Sequence, residues 1–274
     1  MLLRCDESHL RALGSLCRQD PVFGTLVLSQ SLSHQGSRQD PHFEVWLGLD
    51  GWQRPAYCLC GRDGALSLSC SRPLSPYSRE ELCAFLAGLP GWSLEGSAKE
   101  LRLLAKELPG LRLWERPILT QTVRYGVLDE NITHCNDISA LCRFLSREMN
   151  LPPQQKLLEL APLLLSGQGR AFVRQEGERL VACGVLRQGE GSPFSLLSDV
   201  LVARDCRGQG FGKAMVRHLC AVSAQQKAQP SLVCQEEGLG AFYRPLGFEP
   251  SGQRYGCCHS EFAKSQGNER NERG

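Results

Sequence analysis

At 274 residues the chain exceeds the commonest single-domain size, so one large domain or two of medium size are expected. Hydrophobic residues make up 42% and charged residues 22%, the ordinary balance of a soluble globular protein. A net charge of +2 gives no broad basic field for nucleic acid and no acidic one, and no stretch approaches the roughly 20 apolar residues that span a bilayer.

The chain opens with "MLLRCDESHLRAL", where Asp6, Glu7, Ser8 and His9 interrupt the apolar run that a signal peptide would need, so a soluble, cytoplasmic protein is expected. "HFEVWLGLDGWQRPAYCLCGRDGALSLSC" then gives three strand-like runs separated by turn signals. "SREELCAFLAGL" reads as a helix with Ser78 as N-cap and Glu81 completing a capping box. "GWSLEGS" is the next candidate strand and "AKELRLLAKEL" the next helix, before a connection over residues 109 to 121.

In the second half, "NDISALCRFLSREMN" and "QQKLLELAPLLLSG" are helices with polar caps. "GRAFVRQEGERLVACGVLRQGEGSPFSLLSDVLVA" supplies three more strand-like runs. A glycine-rich loop follows, then "GKAMVRHLCAVSAQQKA", in which Ala214, Val216, Leu219, Cys220 and Val222 form a helical stripe. "SLVCQ" is a short strand, "GLGAFYRPLGF" a brief helix broken near Pro245, and Phe248 opens a last strand. The polar tail "QGNERNERG" is expected to be disordered. Strand, strand, strand, helix, strand, helix is thus written twice, in order of elements rather than in residues, as an ancestral duplication would leave it.

Fourteen cysteines include no CxxC, and neither Cys58/Cys60 nor Cys257/Cys258 has zinc-ligand spacing, so no metal site is expected. Cys58 and Cys60 fall on one strand with side chains to one face, and most thiols should be reduced and buried.

"RDCRGQGFGKAMV", residues 204 to 216, concentrates three glycines in five positions at a strand-to-helix turn. Glycine is the costliest residue to order, so either positive φ angles or a closely approaching ligand must require it. A helix start carries unpaired N–H groups and partial positive charge, which suits a phosphate. The loop lacks one residue before "GK" and a following Ser or Thr for a Walker A motif, and its GxGxG spacing is not the GxGxxG dinucleotide fingerprint.

The spacing that fits is Arg-x-x-Gly-x-Gly, at Arg207, Gly210 and Gly212. Here the chain resembles the Gcn5-related N-acetyltransferase (GNAT) family, whose pyrophosphate loop carries (Gln/Arg)-x-x-Gly-x-(Gly/Ala). "AFYRPLGF" is similar to the family's downstream motif, and the resemblance covers roughly residues 122 to 265. It implies an α/β (α+β) fold with a mixed central sheet flanked by helices. It also implies acetyl-CoA as co-substrate, with the pantetheine arm against the backbone of Val200, Leu201 and Val202. The pyrophosphate would lie over Arg207, Gly208, Gln209, Gly210, Phe211, Gly212 and Lys213.

Acetyl transfer to an amine requires loss of an amine proton, donors for an oxyanion and a proton for the departing thiolate. A backbone N–H of the strand before the loop could serve the oxyanion. Tyr243 stands where the family usually has its general acid, with packing of a short helix as the other reading, and Phe242 is read as packing. Asp199, next to Ser198, is the candidate base through a water, or else caps a sheet edge or pairs with an arginine. Glu236 and Leu239 depart from the Asn and Ala that the family often has.

The near-neutral charge argues against a basic histone tail as acceptor, leaving a small amine, an amino acid or a protein N-terminus. Residues 136 to 165 and 249 to 260 would shape the acceptor side, where His134 and His259 are the noticeable side chains. The first half has "SRPLSPY" in place of a glycine loop and reads as a degenerate GNAT-like domain. The expected division is a degenerate domain at 1–118, an acetyltransferase domain at 119–265 and a tail at 266–274, as a monomer or homodimer. An acyl-CoA-binding regulatory module with little turnover is the competing reading, and a longer acyl donor a third.

Overall fold

The computed structural model describes residues 1–20, 22–35, 42–70, 72–96, 100–108, 111–123, 126–188, 191–234 and 238–258. Glu236, His259 and the tail at 266–274 lie outside them. The chain forms two compact units, one of residues 1–31, 38–117 and 252–274, the other of 32–37 and 118–251.

Unit 1 opens with β1 (Leu2–Arg4), α1 (Leu10–Cys17) and most of α2 (Phe23–Gln35), and of the two helices α2 carries no strong periodic signal. The buried positions of α2 include Ser29 and Ser31, and the Ser31 hydroxyl donates to the Val27 carbonyl at 2.6 Å. Then come β2 (Phe43–Leu49), β3 (Pro55–Arg62), β4 (Ala65–Cys70), α3 (Pro76–Ala87), β5 (Ser93–Gly96) and α4 (Glu100–Glu107). The N-cap of α3 is Ser75 and not Ser78: the Ser75 hydroxyl accepts the Ser78 N–H at 3.1 Å, and Ser78 is inside the helix. Pro76 at the first helical position explains the shift, because proline is pre-shaped for that place.

Strand β6 (Arg112–Gln121) leads to unit 2, in which β7 (Ile132–His134), α5 (Ile138–Met149) and α6 (Pro153–Leu165) precede three antiparallel strands. These are β8 (Gly169–Glu176), β9 (Arg179–Arg187) and β10 (Phe194–Val202). After them come α7 (Phe211–Gln225), β11 (Gln229–Val233), α8 (Leu239–Tyr243) and β12 (Phe248–Cys258). Asp137 caps α5 by accepting the Ala140 N–H at 2.8 Å, and Asn150 ends it in the left-handed conformation.

The sheet of unit 2 has the order β6-β11-β10-β9-β8-β7, with β10 and β11 parallel and the other pairs antiparallel. Apolar residues of β8, β9 and β10 alternate between its faces. Phe172, Leu186 and Leu197 join Met215, Leu219 and Cys220 of α7 on one side. Ala171, Cys183 and Val185 join Leu141, Leu145 and Leu160 of α5 and α6 on the other.

The sheet of unit 1 runs β1-β2-β3-β4-β5 and ends on the last residues of β12, where Tyr255–Cys258 pair antiparallel with Ser93–Gly96. In turn, Ile118–Thr120 of β6 pair with β11 in unit 2. The sequence reading assigned 119–265 to one domain; the chain instead returns residues 252–258 to the first unit's sheet. A strand's own alternation says which face is buried but not which edge it joins.

All fourteen cysteines are free thiols. Cys58 and Cys60 are buried on β3, and burial pushes both thiols upward in pKa, the opposite of an activated nucleophile. Among the described residues no group of three or more His, Cys, Asp or Glu is placed to hold a metal ion. No described helix is long and apolar enough to cross a membrane.

Candidate active site

The site is built along β10, the loop after it and the start of α7. β10 and β11 are in register only from Phe194/Gln229 to Leu196/Ser231, so the stretch Leu197–Val202 has no registered partner on β11. Against β9, the register of β10 slips between Ser198 and Leu201, leaving Asp199 and Val200 as a bulge. Asp199 sits there at φ 51, a conformation that costs a non-glycine residue about 1–2 kcal/mol.

A closed set of charges holds the bulge. The Asp199 carboxylate is 2.6 Å from the Lys156 ammonium and 3.5 Å from the Arg187 guanidinium. Lys156 also meets Glu159 at 2.9 Å, Arg187 meets Glu159 at 2.5 Å, and Arg187 Nε donates to the Ser198 hydroxyl at 2.9 Å. The Cys183 thiol donates to the Asp199 carbonyl at 3.4 Å. Burial pushes Asp199 upward, but Lys156 and Arg187 outweigh it and hold the carboxylate below its ordinary range. Burial alone would lower Lys156 and Arg187, and the facing carboxylates raise both instead. Asp199, Lys156 and Arg187 are therefore charged at neutral pH. Asp199 is buried and engaged by two cations, so it lacks the raised basicity that the expected base would need. Lys156 is 43 positions away in the sequence and Glu159 40, and only the fold brings them to Asp199.

Past β10, a short turn at Arg204–Cys206 is tied to β9 by a two-pronged pair between Asp205 and Arg179 at 2.6 and 2.7 Å. Arg207 through Gly210 are exposed, and Arg207 Nε donates to the Val202 carbonyl at 3.3 Å. Gly208 and Gly210 have φ 79 and 87, and an added Cβ at either would meet no atom within 4 Å. They are required for backbone conformation, not for lack of space. Gly210 is the N-cap of α7 and supplies no side-chain acceptor, so the first amides of a 15-residue helix are left without a cap. Gly212 differs: a Cβ there would touch the Phe242 ring at 3.4 Å and Val202 at 3.5 Å. The end of β10, the loop and α8 converge at that point. The Arg174 guanidinium lies over the Phe211 ring at 4.4 Å, a contact that nothing in the loop's own spacing announces.

Tyr243 follows Phe242 on α8, in edge-on contact with it at 4.9 Å and with Phe248 at 5.6 Å. Burial, with smaller contributions from Cys234 and Cys220, pushes its phenol up to about 12. It is thus a proton donor at neutral pH, packed against the α7 core. Leu239 packs against the same core. His134 is on β7, hydrogen-bonded to Asn136 at 3.2 Å and edge-on to Phe172, away from these groups in the fold.

Residues 138–248 match the sequence model of the acetyltransferase (GNAT) family. Over 71 residues the chain is 30% identical to the 5-NmdU N-acetyltransferase of Pseudomonas phage PaMx11, covering 26% of this chain and 51% of that protein. The chain thus spans about half the length of that curated relative. Among solved structures, a Drosophila protein aligns over 95% of this chain and 99% of its own with a TM-score of 0.66 at 11% identity. An acetyltransferase of the GNAT family from Colwellia psychrerythraea aligns over 94% and 98% with a TM-score of 0.59 at 15% identity. A tandem GNAT protein from the clavulanic acid biosynthesis pathway aligns over 94% and 97% with a TM-score of 0.56 at 12% identity. At these identities the structural likeness is one of fold. Sequence match, sheet order and open glycine loop agree in the likeness of residues 138–248 to the acetyltransferase (GNAT) family.

Proposed function

We propose that unit 2 is an acetyl-CoA-dependent N-acetyltransferase acting on a primary amine of a small molecule or peptide, and that unit 1 is a degenerate copy of the same fold without a cofactor loop. The observation that carries this reading is the uncapped start of α7 behind Gly208 and Gly210, whose backbone conformation only glycine adopts cheaply. Bound acetyl-CoA supplies an acetyl group already activated as a thioester. The amides from Gly208 to Lys213 hold its pyrophosphate, with Arg207 and Lys213 adding charge. The backbone of Val200, Leu201 and Val202 takes the pantetheine arm, because that stretch of β10 is unpaired toward β11. An N–H from the bulge serves a developing oxyanion. Tyr243 donates the proton to the departing thiolate, a role worth on the order of 10² to 10⁴ in rate. Asp199 acts as a positioning charge that keeps the bulge in its left-handed conformation.

Calorimetric titration of the purified chain with acetyl-CoA tests the reading. One saturable site per chain is expected, lost in Gly210→Glu, together with turnover on at least one amine of a panel. Two sites would overturn the degenerate reading of unit 1. No binding would remove the acetyltransferase reading altogether, and binding without turnover on any amine would favour a regulatory module.

A further inference from the structure

On the α7 side of unit 2, toward the end of α7, lies a cavity of about 220 Å³. Gly167, Gln168, Gly169 and Arg170 line it from the start of β8, Leu186 and Gln188 from the end of β9, and Gln226 from just past α7. It lies at the opposite end of α7 from the glycine loop. Two of its lining side chains carry buried polar atoms without a hydrogen-bond partner: Gln168 Oε1, an acceptor, and Arg170 Nη2, a donor. No acidic residue is among the described lining residues, and burial lowers the pKa of Arg170 with no carboxylate of the described residues to offset it.

An unpaired, partly buried guanidinium is costly, and so is an unsatisfied amide oxygen, so their meeting in one cavity calls for a common partner. The C-terminal end of α7 lies at the same place, and its partial negative charge offsets part of the cost of the cation. The frame is firm. The Gln188 N–H donates to the Gln168 carbonyl at 3.0 Å, and Gly169 and Arg170 are in register with Arg187 and Leu186. Gly169 has no room for a side chain, since a Cβ would meet Leu163 at 2.6 Å.

The geometry points to a binding site for a small oxyanion that carries a hydroxyl beside its charge, the oxyanion on Arg170 and the hydroxyl donating to Gln168. Glycolate and inorganic phosphate share that chemistry; acetate and sulfate have the charge without the hydroxyl. This site does not depend on acetyl transfer.

Thermal unfolding of the full chain is followed with each of the four salts against sodium chloride at matched ionic strength. A saturable rise in Tm is expected with glycolate or phosphate, about 5 °C or more at a hundredfold excess over Kd. Which of the two binds more tightly tells a carboxylate site from a phosphate site. Arg170→Met should abolish the rise. Gln168→Leu should keep anion binding but erase the preference for glycolate over acetate and for phosphate over sulfate. No saturable rise beyond sodium chloride, a cavity that holds water only, overturns the site. So does an equal rise in Arg170→Met or an unchanged preference in Gln168→Leu.

Discussion

The β4–α3 and β10–α7 connections occupy the same place in their units, each following a strand that is paired in parallel with the next strand of the sheet. They differ at every point that matters for a ligand. β4 is in register with β3 without a slip from Tyr57/Cys70 to Arg62/Ala65, and with β5 through that strand's last residue, Gly96. β10 carries a bulge and parts from β11 after Leu196. At the helix start, Ser75 caps α3 with its own hydroxyl and Pro76 has no N–H to offer, whereas Gly210 leaves α7 open. One helix start answers its own unpaired amides and the other leaves them open.

That contrast can be broken or sharpened experimentally, and the largest effect is expected at Tyr243. Tyr243→Phe should lower the acetyl-transfer rate by about 10² to 10⁴ while calorimetry finds acetyl-CoA affinity unchanged. An unchanged rate would reduce Tyr243 to a packing residue. Asp199→Asn comes next. It leaves Lys156 and Arg187 facing Glu159 alone, and urea unfolding should register a loss of about 3–5 kcal/mol. A stability change under 1 kcal/mol would mean that the bulge does not depend on the charge.

The same carboxylate predicts a pH dependence. Its folded pKa is depressed, so its contribution is present above the unfolded value of about 3.9 and is lost as pH falls through the folded one. Asp199→Asn should therefore flatten the acid limb of stability below about pH 4. Gly210→Ala should be milder, about 1–2 kcal/mol from the left-handed conformation it forces on alanine, read as weaker acetyl-CoA binding and a lower Tm together. The smallest effect is assigned to unit 1. Ser75→Ala should cost about 1 kcal/mol of stability and leave acetyl-CoA binding untouched. A change in binding there would give the first helix start a function.

The glycine loop was legible because its information is local. Spacing, a preceding strand and a following helix all lie between Phe194 and Gln225, and the structure puts each where the sequence reading expected it. The short helix that carries Phe242 and Tyr243 was legible for the same reason, and so were the three strands at residues 169–202. The Lys156–Asp199–Arg187–Glu159 set was not, because its members come from a helix and two strands, and beyond the i,i+3 pair Lys156/Glu159 no spacing joins them. Asp199 drew attention only by standing next to the loop, and pairing with an arginine was one of the readings it left open. Helix α2 was missed because several of its inward positions are serines, which blur an apolar stripe. The Ser78 assignment failed on one proline: the capping-box pattern fitted, but Pro76 starts the helix earlier.

The route of β12 bears on how the protein is made. Gly96 of β5 pairs with Tyr255, so on the ribosome the open edge of β5 waits while roughly 160 further residues are synthesised, about 10–30 s at ordinary elongation rates. During that interval the nascent first unit presents an unpaired strand, the kind of edge that invites association with other chains. A premature stop anywhere in the second unit would leave the first unit's sheet permanently one strand short. The order of synthesis thus makes the integrity of the first unit a report on whether translation has passed β12.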